Sequence, residues 1–434
     1  MPGRGKLKAR IASASVAALV LGLFIIGASG GSLSGGGPTA SVAAPPPQGI
    51  QISEAQRRAT TIDYRLLDAR LQQLALEDAM VGLAVGIVED GEIRFLKGYG
   101  ETVAGSGDPV TTSTVFRWAS LSKGVAANMV AKLAEERRLS LYEPIANYSQ
   151  SLRLPGGNEH RATIIDVLSH RLGLFSHANE ALLEDGGDPK YLRGTLGALN
   201  AICAPGQCHA YQNVAYDAAT EVVEKVTGES YQQALRTQLF LPLGMTSASV
   251  TRAGLEGAPS WARPHRAGKR GKPVAVTDSY YRVPAAGGVN SSIKDLAIWL
   301  QAQLGTDPTV LPPKVLENVQ EPRIKTPGEL GRLRKFRERL DRADYGLGWR
   351  IYDYAGHTIV GHRGGVTGYR SLILFDPKLK TGVVAMWNSS TNQPGGLEFE
   401  VMDMLYKLPP RDWLELGTIE QPTRTAANAT IPPA

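Results

Sequence analysis

Cysteine is almost absent from this chain of 434 residues, which contains only Cys203 and Cys208. In an oxidising compartment the two could form a disulfide that closes a short loop just before Tyr211, and two free thiols are the alternative. A zinc site that adds His209 lacks an obvious source for two further ligands. The sequence therefore predicts neither a metal nor an organic cofactor.

Acidic residues are missing from the first 50 positions, whereas residues 4–10 carry four basic side chains and precede an apolar run over residues 11–26. This pattern predicts an export signal over residues 1–30, or an N-terminal membrane anchor if the segment is not cleaved. The body of the protein is then periplasmic or otherwise extracytoplasmic. Beyond this segment the formal net charge of +6 falls to +2, which gives no indication of a nucleic-acid surface.

The middle of the chain predicts one catalytic domain over residues 53–408, between a Gly- and Pro-rich linker (31–52) and a polar C-terminal tail (409–434). The Asp90-Gly91 pair between two apolar runs predicts an early β-hairpin. Strand-like patterns return at residues 346–354, 357–361, 369–375 and 382–387, and helical patterns occupy residues 54–77, 125–136, 164–169, 215–226, 295–304 and 397–406. One antiparallel sheet with helices packed on it, an α/β (α+β) fold, is the simplest arrangement.

One segment, residues 323–342, is unusual because it contains eight Lys or Arg residues. Its leucines and Phe336 recur at near-helical spacing, which predicts an amphipathic helix with a solvated basic face. A flap that contacts a membrane surface or an anionic wall polymer is the alternative.

The first of three chemical motifs is Ser120-Leu-Ser-Lys123. Residues three apart share one face of a helix, so the Lys123 amine can reach the Ser120 hydroxyl. Serine needs a base to act as a nucleophile, and a lysine can serve if burial or a nearby cation lowers its pKa. The pattern recurs at Ser291–Lys294, where it predicts a helix N-cap, so the motif alone is not specific.

The second motif is Tyr211-Gln-Asn213. A tyrosine beside an ammonium group can lose its proton more easily and act as a general base or acid. Asn213 could orient Lys123 or hold a substrate amide.

The third motif, His362-Arg-Gly364, continues into Gly365. The two glycines let the backbone approach a ligand, and an N–H group here could join that of Ser120 in an oxyanion hole. His362 adds a polar or cationic group, and Arg363 could bind a carboxylate.

In this order, the three motifs resemble those of serine β-lactamases and penicillin-recognising DD-peptidases. The tyrosine in the second motif is similar to class C β-lactamases and to the related DD-carboxypeptidases, esterases and D-aminopeptidases. Further family-like stretches at Thr163–His170, Pro284–Val289 and Tyr345–Trp349 extend the likeness over most of residues 54–407. The resemblance implies a β-lactamase/transpeptidase-like antiparallel sheet, flanked by helices, with an all-helical subdomain and the site between them.

The resemblance also implies roles for the residues. Ser120 would be the acylated nucleophile, Lys123 its activating partner and Tyr211 the second acid/base group, with Asn213 as its polar neighbour. His362 to Gly365 would form the strand at the edge of the site, and the N–H groups of Ser120 and Gly365 would form the oxyanion hole.

Two departures from the class C pattern guide the expected activity. Those enzymes have lysine where this chain has His362 and usually threonine where it has Arg363; histidine resembles the DD-peptidase and esterase branches more. We therefore expect an exported serine hydrolase that cleaves an ester or amide bond, with a cell-wall D-amino-acid peptide or a small ester favoured over potent β-lactam hydrolysis. The alternatives are a class C-type β-lactamase and a catalytically silent, penicillin-binding-like scaffold protein.

Overall fold

The computed structural model describes residues 61–417. The predicted export segment, the linker, the start of the first predicted helix and the chain after residue 417 lie outside the described residues. Within residues 61–417, no helix combines the length and the apolar character needed to cross a membrane.

The central element is an eight-stranded sheet in the order β2-β1-β10-β9-β8-β7-β6-β5, and every neighbouring pair is antiparallel. Its strands are β1 Gly82–Glu89, β2 Glu92–Gly100, β5 Ile324–Lys325, β6 Leu340–Tyr345, β7 Arg350–Tyr354, β8 His357–Val366, β9 Tyr369–Asp376 and β10 Thr381–Trp387, and a separate pair consists of β3 Val115–Arg117 and β4 Asn290–Ser292. The predicted hairpin is confirmed, because Asp90 and Gly91 both adopt the positive φ that its turn requires. The pairing of β1 with β10 joins the early hairpin to the late strands, as predicted.

One helix precedes β1, most of the others lie between β2 and β5, one lies between β5 and β6, and the last follows β10. They are α1 Tyr64–Leu76, α2 Ser122–Glu135, α3 Ile164–Leu168, α4 Glu180–Glu184, α5 Pro189–Thr195, α6 Ala218–Thr227, α7 Tyr231–Leu235, α8 Arg252–Glu256, α9 Pro284–Gly287, α10 Ile293–Gln303, α11 Pro313–Gln320, α12 Pro327–Arg332 and α13 Leu397–Leu405. The helices predicted from residue 125 onward are confirmed to within three residues at each end. Ser292 caps α10 by accepting from the Asp295 N–H, so the second Ser-x-x-Lys copy is the predicted N-cap.

Both faces of the sheet are buried, which explains why β1 is buried throughout and apolar up to its last residue, Glu89. Side chains alternate between the faces of a strand. Leu83, Val85 and Ile87 face a core shared with α1 and α13, whereas Ala84 and Val88 face the larger core beneath α2 and α10. Leu121, Val214 and Val366, which lie within or beside the three motifs, belong to the larger core, so the site lies on that side of the sheet.

The predicted long helix over residues 323–342 is wrong. The segment instead contains β5, the short helix α12, a 3-10 turn at Arg334–Phe336 and the start of β6. Gly328 and Gly331 disfavour a continuous helix, and β6 pairs with β7 through residues that the helix would have used. Its apolar residues Leu333, Phe336 and Leu340 are buried in the core shared with α13.

The predicted start of the C-terminal tail, residue 409, lies within the folded body. Trp413 and Leu414 are buried, and the Arg70 guanidinium on α1 pairs with Asp412 at 2.5 Å. The folded body therefore continues past residue 408, at least to Gly417.

Candidate active site

Ser120 lies in a 3-10 turn, Ala119–Leu121, between β3 and α2. Ala119 has a φ of 48°, a left-handed conformation that costs a non-glycine residue about 1–2 kcal/mol. The turn is held on both sides, because the Ser122 hydroxyl donates to the Ala119 carbonyl at 2.6 Å and the Trp118 indole donates to Ser291 Oγ at 2.8 Å. Ser120 itself remains half-buried and accessible.

Lys123 is completely buried one turn further along. Its Nζ atom lies 2.5 Å from Asn213 Oδ1, 2.8 Å from the Ala286 carbonyl oxygen and 3.5 Å from Ser120 Oγ. Burial lowers the pKa of Lys123 to about 7, although the charges of Glu180 and Asp217 oppose the shift. A large fraction of the amine is therefore neutral near neutral pH.

The neighbours of Lys123 also fix where its lone pair points. A neutral amine has two N–H donors, and Asn213 and Ala286 supply two acceptors within 2.8 Å. With both donors used, the lone pair is left for the third neighbour, the Ser120 hydroxyl. This geometry suits a base that removes the serine proton.

Tyr211 completes this group, with its ring centre 4.7 Å from Lys123 Nζ. Burial raises the pKa of Tyr211, while its hydrogen bond with Ser120 and the charge of Arg350 act in the opposite direction. The net rise in pKa favours a resting phenol that keeps its proton, which runs against the expected easy deprotonation. Tyr211 suits the role of proton donor better than that of resting base.

Sequence reasoning missed Glu180, which reaches the site through Asn213. Asn213 Nδ2 donates to Glu180 Oε1 at 2.5 Å, and Asn213 Oδ1 accepts from Lys123. Burial alone would raise the pKa of Glu180, but hydrogen bonds from His177, Tyr280 and Asn213 lower it to about 2. No local pattern marks Glu180, because it lies 33 residues from Asn213 in the chain.

His362 belongs to a chain of hydrogen bonds with one consistent set of donors. The Gln212 N–H donates to His170 Nδ1 at 3.1 Å, so His170 Nε2 carries the proton and donates to the Tyr345 oxygen at 3.2 Å. Tyr345 donates in turn to His362 Nε2 at 3.1 Å, and His362 Nδ1 donates to the Arg363 carbonyl oxygen at 2.7 Å.

These hydrogen bonds and the burial of His362 both favour its neutral form. Burial lowers the pKa of His362 well below its usual value, and the charges of Arg350 and Lys123 act in the same direction. Of the two roles expected for His362, a neutral polar group agrees with this lowered pKa and a cation does not. Its ring centre lies 6.3 Å from that of Tyr211, so the third motif does meet the second.

Arg363 does not face Ser120, and its expected role in binding a substrate carboxylate is wrong. Neighbouring residues of a strand point to opposite faces of the sheet, so Arg363 points away from His362. Its guanidinium pairs with the buried Glu398 of α13, with Nε 2.7 Å from Glu398 Oε1.

Gly364 and Gly365 lie in the part of β8 that extends beyond the end of β7. Arg350, the first residue of β7, pairs with Gly361, whereas His362–Val366 pair only with β9 among the described residues. A methyl group on Gly364 would lie 2.2 Å from the Trp118 carbonyl oxygen and 3.1 Å from the Ser120 nitrogen. Only glycine therefore lets this strand lie against the turn that holds Ser120.

A cleft of about 570 Å³ opens beside Tyr211. Its lining includes Arg350, whose guanidinium pairs with Glu329 of α12 at 3.0 Å, together with His209 and Thr326. The basic segment thus forms one wall of the cleft. The sulfur atoms of Cys203 and Cys208 are bonded to each other, and Cys208 also lines the cleft. Within residues 61–417, no group of three or more His, Cys, Asp or Glu side chains is placed to hold a metal ion.

Comparisons with known proteins show the family to which the chain belongs. The Beta-lactamase family model matches residues 67–403. Unguisins hydrolase ungD from Aspergillus violaceofuscus is 26% identical over 76% of this chain and 63% of its own length. D-alanyl-D-alanine-carboxypeptidase/endopeptidase AmpH from Escherichia coli K12 is 26% identical over 56% of this chain and 62% of its own length. The chain thus spans less than two thirds of both relatives.

A solved structure extends the likeness to three dimensions. The octameric penicillin-binding protein homologue from Pyrococcus abyssi superposes with a TM-score of 0.71 at 27% identity, over 81% of this chain and 79% of that one. The fold, the family match and the relatives agree with the sequence resemblance. The chain belongs to the Beta-lactamase family, whose members among its relatives include hydrolases and a DD-peptidase.

Proposed function

We propose that the protein is a serine hydrolase that cleaves an ester or amide bond through an acyl-enzyme on Ser120. The observation that supports this most is the buried Lys123, whose lowered pKa makes a substantial neutral fraction available and whose lone pair is left for the Ser120 hydroxyl. Burying an amine costs free energy, so a buried lysine is expected to have a function. With both of its N–H groups bonded and its lone pair toward Ser120, Lys123 is suited to act as a base.

In the proposed reaction, Lys123 accepts the proton of Ser120 as Oγ bonds to the substrate carbonyl carbon. The N–H groups of Ser120 and Gly365 stabilise the oxyanion. The bond to the leaving group then breaks, and Tyr211 donates a proton to the departing nitrogen or oxygen. The proton held by Lys123 restores Tyr211. Water attacks the acyl-enzyme in the second half, with the same groups moving its proton to the Ser120 oxygen, and releases a carboxylic acid.

The substrates we favour are a D-amino-acid peptide of the cell wall or a small ester. The neutral His362 supports this preference over potent β-lactam hydrolysis, because it offers no ammonium group where class C enzymes have lysine. Export of the protein, by a signal or an anchor in residues 1–30, stays a prediction from the sequence.

A hydrolysis panel tests the proposal. We expect Ser120-dependent turnover of a D-Ala-D-Ala peptide or of short-chain 4-nitrophenyl esters, and much slower turnover of a chromogenic cephalosporin. Ser120→Ala should reduce turnover to background, whereas Ser113→Ala, at an exposed serine, should leave it unchanged. Turnover that survives in Ser120→Ala would contradict the proposal, and rapid cephalosporin hydrolysis would favour the class C-type alternative.

A further inference from the structure

Arg350, the first residue of β7, brings a buried positive charge next to Tyr211. Arg350 is only 8% exposed, and its Cζ atom lies 5.9 Å from the centre of the Tyr211 ring and 5.5 Å from that of the Tyr345 ring. Its backbone pairs with Gly361 of β8, the residue before His362. Sheet pairing therefore holds this guanidinium close to the second and third motifs.

One carboxylate balances this charge only in part. Arg350 Nη1 lies 3.0 Å from Glu329 Oε2 of α12, and the same oxygen lies 3.7 Å from Nη1 of the exposed Arg332. The other oxygen of Glu329 accepts from the Tyr352 hydroxyl at 3.4 Å. Because one carboxylate faces two guanidinium groups, the cluster keeps a net positive charge. Burying a cation that is only partly balanced costs free energy, so a function is expected of it.

The proposed reaction, on which this inference rests, needs such a charge beside Tyr211. When Tyr211 donates its proton to the departing oxygen or nitrogen, the phenol becomes a phenolate, and the proton held by Lys123 then restores it. Burial raises the pKa of Tyr211 and so disfavours the phenolate, and the neutral His362 offers no compensating charge. The charge of Arg350 acts to lower the pKa of Tyr211, and it outweighs the opposite effect of Glu329.

We propose that Arg350 stabilises the phenolate of Tyr211 while the leaving group departs, and so supplies the positive charge that His362 does not. Arg350 is then a positioning residue, because it acts through Tyr211 and not on the substrate. Its effect should be largest for leaving groups that need a proton to depart, such as an alkoxide. It should be smallest for 4-nitrophenolate, which departs as an anion.

Two esters with the same acyl group test this inference. The measured quantity is the ratio of kcat/KM for ethyl butyrate to kcat/KM for 4-nitrophenyl butyrate, and kcat/KM covers the steps up to acylation. The ratio cancels differences in the amount of folded protein. It also cancels any change in the pKa of Lys123, which burial lowers most and Arg350 lowers further. Arg350→Gln should reduce the ratio at least about tenfold, because a charge close to the phenolate is lost.

Breaking the ion pair from its other end separates this role from a structural one. Glu329→Gln also removes the contact with Arg350, but it removes a charge that opposes the phenolate, so the ratio should stay the same or rise. A pair that only held α12 against β7 would respond alike to both substitutions. Arg350→Lys keeps a positive charge and should keep part of the ratio.

Arg342→Gln is the matched control. Arg342 lies on the neighbouring strand β6, is exposed and pairs with Asp344 at 3.0 Å. Its replacement therefore also removes an arginine and an ion pair from the sheet, but Arg342 does not line the Tyr211 cleft. The ratio in Arg342→Gln should equal that of the wild type.

The outcomes separate this inference from the proposed function. An unchanged ratio in Arg350→Gln, or a fall in Glu329→Gln, would overturn the role of Arg350 and leave the serine hydrolase standing. Should Arg350→Gln fail to fold, the result for Glu329→Gln decides. If neither ester gave Ser120-dependent turnover, both proposals would fall.

Discussion

At the scale of single residues, the chemistry depends on how the charge of Lys123 is balanced. Burial favours the neutral amine, whereas the charges of Glu180 and Asp217 favour the ammonium form. Glu180 is ionised because three donors hold it, and it also fixes Asn213, which holds Lys123. We therefore regard Glu180 as a positioning residue that tunes the base without touching the substrate.

This balance predicts the pH dependence of acylation. In the proposed reaction the neutral form of Lys123 is the base, so the acylation rate should rise with pH through an apparent pKa of about 7. Glu180→Gln removes a charge that raises the pKa of Lys123, so the rising limb should move to lower pH by on the order of one unit. Stopped-flow acylation across pH measures this shift.

Glu184→Gln is the matched control for that experiment. Glu184 shares the Tyr280 hydroxyl with Glu180 but is exposed and does not contact Asn213. The pH profile of acylation in Glu184→Gln should stay close to that of the wild type. An unshifted profile in Glu180→Gln, or a shift to higher pH, would contradict the proposed role of Glu180.

The sequence located the side chains that sit within short motifs and missed those that reach the site from elsewhere. Ser120 and Lys123 lie three residues apart, so helix geometry alone predicts their contact. Tyr345 and Glu180 meet the motifs only through tertiary packing, which no local spacing reveals. Arg363 was assigned to the site because its neighbour His362 belongs there, although strand alternation sends the two to opposite faces.

At the scale of elements, two features position the Tyr211 phenol: the disulfide loop and the backbone hydrogen bonds around Tyr211. The loop from Cys203 to Cys208 ends three residues before Tyr211. Tyr211 is also held by backbone bonds on both sides, from the Ala210 N–H to the His170 carbonyl at 2.9 Å and from the His177 N–H to the Tyr211 carbonyl at 2.8 Å. These bonds do not depend on the disulfide.

Replacing both cysteines by serine should therefore affect stability more than chemistry. The loop is short, so the free energy of unfolding should fall by about 2 kcal/mol at most. The acylation rate of the folded protein should stay within about threefold of the wild type, because a small shift of Tyr211 is opposed by its backbone bonds. Urea unfolding and acylation kinetics measure the two effects, and loss of acylation without loss of stability would contradict this assignment.

The basic segment, residues 323–342, shows where local sequence patterns fail to predict secondary structure. Four apolar residues at near-helical spacing predict a helix, yet the spacing does not record that Leu340 begins a strand paired with β7. Sheet pairing is non-local, so it prevailed over the local helical pattern. The hairpin at Asp90-Gly91 was predictable because a two-residue turn is itself local.

At the scale of the whole molecule, the C-terminal segment closes the core on the face of the sheet opposite Ser120. Trp413 packs on Phe336 with ring centres 5.4 Å apart, and its indole donates to Asp403 at 2.7 Å. The sequence could not place this segment, because an isolated Trp-Leu pair in a polar stretch has no periodicity.

Trp413→Ala should therefore destabilise the fold without touching the site. Truncating a buried aromatic residue costs about 3 kcal/mol or more. Leu379→Ala, at a leucine that is 41% exposed, should change the free energy of unfolding by less than about 0.5 kcal/mol. Chemical denaturation compares the two, and equal stabilities would show that residues 409–417 are dispensable to the body.

The central claim is that Ser120 becomes acylated with the help of Lys123, and intact-mass analysis after reaction with a fluorophosphonate or a labelled penicillin tests it most directly. We predict a single adduct on the wild-type protein, none on Ser120→Ala, and formation slowed by several orders of magnitude in Lys123→Ala. The absence of an adduct with either probe on the wild type, or an adduct that persists in Ser120→Ala, would contradict the account.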